Sequence, residues 1–250
     1  MITRIQIEDG LYFQENSGNW GRPADNVLIC CHGFTGSRNS FSTSTLAERI
    51  SSEYKNTNVL SFDWPGHGDE IDRELTLERC DEYLTKVIEA ARKYFPKADL
   101  YANGTSFGGY LLLKYISDHG NPFKKIVMRS TAVTMHDVLT KTIMSEDDKR
   151  TIADGETAYI GFDVKVPVTA PFVESLAEED IRKNDYRSFR SDILMIHGTS
   201  DELVPYSDAV AFAEKQGIAL YTVDGADHRF CDRSLRENAI TRACEFFDFR

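Results

Sequence analysis

Gly104-Thr105-Ser106-Phe107-Gly108 stands between a strand-like run, Asp99-Leu-Tyr-Ala-Asn103, and a helix-like run, Tyr110-Leu-Leu-Leu-Lys-Tyr-Ile-Ser117. A serine on a tight strand-to-helix turn, with glycine two residues to either side, is the layout of a nucleophile elbow. Glycine allows the sharp turn because it brings no Cβ into collision with the backbone. The hydroxyl is then pushed out of the sheet, toward solvent and substrate. The same serine could simply cap the following helix, so its reading depends on what stands around it.

Outward from this turn, strand-like and helix-like stretches alternate from about residue 26 to the end. Val27-Leu-Ile-Cys-Cys31 is a continuous apolar run, as expected of a parallel strand covered on both faces. Further strands are predicted at Asn58–Phe62, Lys125–Met128, Asp192–Ile196 and Ala219–Val223, and helices at Phe41–Glu53, Thr76–Phe95, Ser207–Gln216 and Ser234–Phe247. This order predicts an α/β fold, a mostly parallel twisted sheet with helices on both faces. Ahead of it, Ile2, Ile5 and Ile7, then Leu11-Tyr-Phe13, parted by Asp9-Gly10, read as an antiparallel edge hairpin.

The alternation breaks once, between Ala132 and Ser191. An acidic helix-like run, Met135 to Asp154, precedes a β-prone run, Ala158 to Val168, with Pro167 inside it. A sheet crossover needs far fewer residues. The expected organisation is a core of residues 1–132 and 192–250 with an inserted cap, 133–191, over one end of the sheet.

The chain has 250 residues and a net charge of −11. That balance argues against a nucleic-acid partner, which needs a basic face. No apolar run reaches the length of a membrane span, and the first residues lack a secretory pattern. Five cysteines, an odd number without paired spacing, suggest free thiols and a cytoplasmic setting. Gly104 to Gly109 has the glycine spacing of a phosphate loop, but Tyr110-Leu111 stands where Lys-Ser/Thr is required. No metal-binding pattern or dinucleotide fingerprint occurs, so no metal and no cofactor are expected.

In an open parallel sheet, ligands bind beyond the carboxyl ends of the strands. Four segments lie there. Ser106 is one. His32-Gly-Phe-Thr-Gly36 is the second; the N–H of Phe34, with that of Phe107, would form an oxyanion hole, while His32 reads as a buried loop anchor. The third is His197-Gly-Thr-Ser-Asp201, whose acid can orient an imidazole or serve only as a turn residue. The fourth, Gly225-Ala-Asp-His228-Arg-Phe230, follows the last strand. Of six histidines, His228 alone lies downstream of both Ser106 and Asp201 after that strand.

With these motifs the chain resembles the α/β-hydrolase superfamily, from His32-Gly-Phe-Thr-Gly36 through Phe62-Asp-Trp-Pro-Gly-His-Gly68 and Gly104-Thr-Ser-Phe-Gly-Gly109 to His228. The resemblance implies the α/β-hydrolase fold, a Ser106–His228–Asp201 triad, an oxyanion hole at Phe34 and Phe107, and a cap in the insertion. Within the superfamily the chain is most similar to small bacterial carboxylesterases of the cinnamoyl/feruloyl type. The function so implied is hydrolysis of a small-molecule ester with a small or aromatic acyl group. Thioesterase, acylglycerol lipase, peptidase or non-catalytic ligand binding on the same fold are the alternatives, and a homodimer stays open. Candidate pocket walls are Thr35, Tyr159, Phe162, Phe172 and Phe230, together with the rings of Phe34 and Phe107.

Overall fold

The structure is a computed structural model that describes residues 3–8, 11–161 and 164–249. The expected turn at Asp9-Gly10 lies outside them. Strands β1 (Thr3–Glu8) and β2 (Leu11–Glu15) pair antiparallel, as the edge hairpin predicts. The chain continues through β3 (Asn26–Cys31), α1 (Phe41–Glu53), β4 (Thr57–Phe62), α2 (Leu77–Tyr94), β5 (Asp99–Thr105), α3 (Phe107–His119) and β6 (Lys125–Arg129). The segment beyond β6 holds α4 (Met135–Asp137), a π-helical turn (Val138–Ile143), α5 (Glu146–Ala153), the antiparallel pair β7 (Ala158–Ile160) and β8 (Val166–Val168), and α6 (Ala170–Glu178). Then come β9 (Ile193–Gly198), α7 (Tyr206–Gln216), β10 (Ala219–Val223) and α8 (Arg233–Phe247).

Among the described residues the main sheet has eight strands in the order β1-β2-β4-β3-β5-β6-β9-β10. Every pairing from β4 to β10 is parallel. Side chains alternate between faces along each strand, and this splits the core in two. Leu100, Ala102, Ile126 and Met128 pack toward α2, α3 and α6, whereas Tyr101, Val127, Leu194 and Ile196 pack toward α1 and α8.

The acidic run after residue 134 is not one helix. Ser145 begins a new one with a capping box, its hydroxyl accepting from the Asp148 amide and the Asp148 carboxylate accepting from the Ser145 amide. Pro167 is tolerated because β7 and β8 form an isolated two-stranded ribbon. The apolar side chains of this segment, such as Ile160, Val166, Phe172 and Leu176, join the α2/α3 side of the core without a break. No helix among the described residues is long and apolar enough to cross a membrane.

Candidate active site

Thr105 is the last residue of β5, and Ser106 turns the chain into α3 with φ 52 and ψ −113. A non-glycine residue there carries strain on the order of 1–3 kcal/mol, held by the surrounding packing. The packing is visible at the flanking glycines. A Cβ on Gly104 would lie 2.7 Å from Leu112 Cδ1, and one on Gly108 would overlap the carbonyl oxygens of Cys31 and His32. Gly33 brings the neighbouring loop close, since its Cβ would stand 3.2 Å from that of Ser106. Thr35, Ser130 and Phe230 also have positive φ. Four of the five described non-glycine residues in that conformation thus cluster at these strand ends.

Asp201 follows β9 and His228 follows β10. His228 Nδ1 lies 2.9 Å from both Asp201 carboxylate oxygens. Asp201 also accepts from the amides of Leu203 (3.0 Å) and Val204 (2.8 Å) and faces His197 Nε2 at 3.1 Å. Burial alone would raise its pKa, but the donors on His197, His228 and Val204 hold the carboxyl well below the usual range. An ionised acid at Nδ1 fixes the proton of His228 there and leaves Nε2 as the acceptor. The neighbouring acids are engaged elsewhere. Glu202 accepts from the His228 amide, Asp227 from the Cys231 amide, and Asp224 from the Thr199 hydroxyl.

Ser106 and His228 line one cavity of about 630 Å³, a size typical of small-molecule sites. No hydrogen bond joins Ser106 Oγ to His228 among the described residues; such contacts often tighten only when substrate binds. Among the described residues the amides of Phe34 and Phe107 donate to no acceptor. His32 is buried as an anchor: Nδ1 donates to Gly33 O (2.8 Å) and Nε2 accepts from the Trp64 amide (3.1 Å). Burial pulls His32 down to about 4 and, with His32 beside it, His67 down to about 3.

A model of the family described as alpha/beta hydrolase fold matches residues 26–154, more than half of the chain. The chain belongs to the alpha/beta hydrolase fold family. Among solved structures, Est1E from Butyrivibrio proteoclasticus with ferulic acid bound is 20% identical over 98% of this chain and 99% of that one, with a TM-score of 0.74. A monoacylglycerol lipase from Paleococcus ferrophilus is 18% identical over 94% and 97%, with a TM-score of 0.66. Mouse alpha/beta hydrolase domain-containing protein 10 is 13% identical over 99% and 98%, with a TM-score of 0.67. At these identities the likeness is one of fold. No curated protein matches in sequence.

On this hydrolase fold, the expected walls divide. Phe34, Thr35 and Phe230 do line the cavity. Tyr159 does not: it sits on β7 with its side chain in solvent, because alternation along the ribbon turns Ala158 and Ile160 inward instead. Phe172 does not either; it is buried edge-on against Phe107, whose own ring stacks on Tyr110. Phe162 lies outside the described residues. The segment between β6 and β9 reaches the cavity through aliphatic residues, Val138, Ile143 and Val164.

Two groups escaped the sequence reading. His197 is the buried penultimate residue of β9 and touches Asp201. The available signal was a polar residue ending an apolar strand four positions before the acid. Arg129 and Arg236 also line the cavity, one closing β6 and one on α8. Nothing in the local sequence marks them.

Proposed function

We propose that the chain is a serine hydrolase that cleaves carboxylic esters of small or aromatic acyl groups through an acyl-enzyme on Ser106. The observation that carries this reading is the double 2.9 Å contact between His228 Nδ1 and Asp201, beside a strained serine in the same cavity. His228 Nε2 takes the Ser106 proton as Oγ attacks the ester carbonyl. The tetrahedral oxyanion rests on the amides of Phe34 and Phe107, at the positive end of α3. His228 then protonates the leaving alcohol, and water hydrolyses the acyl-enzyme by the same route. Asp201 balances the transient imidazolium. Residues 133–191 act as a cap whose Val138, Ile143 and Val164 border the acyl site. One similar structure holds ferulic acid and another is named a monoacylglycerol lipase, in keeping with an ester as substrate.

The test is covalent labelling with a fluorophosphonate together with a panel of esters varied in acyl length and aromaticity. Labelling confined to Ser106, lost in Ser106→Ala, and kcat/KM highest for short or aromatic acyl groups are expected. A folded protein that is neither labelled nor active on any ester would overturn the reading.

A further inference from the structure

Arg129 closes β6 opposite Thr105 of β5, one residue before the candidate nucleophile. Alternation turns its side chain to the α1/α8 face, the side of Val127, where it lines both the main cavity and a smaller apolar slot beneath. Among the described residues its guanidinium donates no hydrogen bond, and its Nε is shielded from solvent without a partner. The ring of Phe230 lies under it at 5.0 Å. Two carboxylates act on it through space, Asp201 and Asp227. Both are already committed, Asp201 to His197 and His228, and Asp227 to the Cys231 amide.

Arg236 stands beside it. Its Nη1 donates to the carbonyls of Phe230 (3.0 Å) and Cys231 (3.1 Å), Phe41 stacks against it at 4.8 Å, and its Nε is likewise buried and unpaired. The N-terminal edge of α1, Ser40 to Ser42, borders the same end of the cavity, and a helix start favours negative charge. Burial draws Arg129 down to about 10, and the nearby Arg236 charge adds to that fall, yet it stays protonated at neutral pH. Two adjoining, partly desolvated cations without an acid between them are costly to hold. A chain of net charge −11 has ample acid to place there, yet among the described residues none forms an ion pair with either arginine, and the two nearest carboxylates are committed elsewhere.

We infer that Arg129, backed by Arg236, is the binding site for a carboxylate carried by the substrate, so that the ester cleaved at Ser106 is an anionic one. The planar guanidinium fork matches a carboxylate in two parallel hydrogen bonds; the face of Phe230 fixes the plane of Arg129 and that of Phe41 the plane of Arg236. This deepens the ester hydrolase reading above and rests on it. The carboxylate can sit on the acyl chain or on the alcohol, and two substrate pairs separate these: mono-4-nitrophenyl glutarate against 4-nitrophenyl pentanoate, and 4-acetoxybenzoate against phenyl acetate.

The wild-type enzyme is expected to favour the charged member of one pair in kcat/KM. Arg129→Met should lower that charged-to-neutral ratio about 10- to 100-fold, the range for a lost charge-assisted hydrogen bond. Arg129→Lys, which keeps the charge and loses the fork, should fall between. Calorimetric titration of glutarate into Ser106→Ala, and into Ser106→Ala carrying Arg129→Met as well, reads the same site without turnover. Binding lost only in the double variant supports the inference even if no ester tried is a substrate. Absence of charged-ester preference in a wild-type protein that hydrolyses the neutral esters, with no glutarate binding, overturns it and leaves the hydrolase reading standing.

Discussion

Two pairs of buried histidines flank Ser106, and they differ in one respect. His197 and His228 share the carboxylate of Asp201. His32 and His67 lie 5.2 Å apart, ring to ring, among Trp64, Phe34 and Phe107, and bond only to the backbone. Desolvation opposes charge on any buried imidazole, and an adjoining carboxylate is what can offset it. Only the Asp201 pair has that partner, while the other pair stays neutral and serves as scaffold. Burial by itself does not make a histidine a base; the partner at its second nitrogen does.

The contrast is broken most directly at the pair that shares Asp201. His228→Ala, like Ser106→Ala, should lower ester kcat by roughly a millionfold, whereas replacing exposed His119 or half-buried His136 should leave turnover near wild type. Steady-state kinetics on purified, folded variants measures this; near-normal turnover in His228→Ala would move the base elsewhere. Asp201→Asn should cost about 10⁴-fold in kcat with a much smaller change in KM, because the amide favours the wrong tautomer. An equal loss spread into KM would mean that Asp201 positions substrate instead.

His197→Leu sharpens the comparison. It removes one donor from Asp201 and leaves His228 in place, so kcat should fall about 10-fold to 100-fold, by analogy with lost supporting hydrogen bonds around other functional ligands. The pH profile of kcat/KM should shift with it, since the acid beneath His228 is less firmly ionised. An unchanged profile with only a lower melting temperature would assign His197 a packing role.

The smallest effect belongs to the neutral pair. An unfolded histidine takes up its proton near pH 6.5, while folded His32 and His67 resist protonation down to about 4 and about 3. The unfolded chain thus binds more protons in that window, and stability present above it falls as pH is lowered. The slope is about 1.4 kcal/mol per pH unit for each histidine. Urea midpoints between pH 7 and 4.5 should decline steadily. A flat series would show that these rings accept protons in the folded state.

The alternation of strands and helices, the glycines around Ser106 and the order Ser106, Asp201, His228 are local or one-dimensional properties. They depend on side-chain period, backbone freedom and chain order, and so were legible in the residues alone. The break in the alternation after residue 132 was legible for the same reason. Which side chains meet is not one-dimensional. Tyr159 and Phe172 look alike as candidate walls, yet ribbon alternation sends one to solvent and core packing buries the other. His197 and His67 both stand beside glycine in the sequence, and only the closing of β9 against the 201–205 loop gives one of them a carboxylate. Arg129 and Arg236 lie more than a hundred positions apart in the sequence. Only the parallel pairing of β6 with β5 and the docking of α8 on that face bring two cations, neither in an ion pair among the described residues, to the wall beside Ser106, because long-range contacts are set by sheet order and packing.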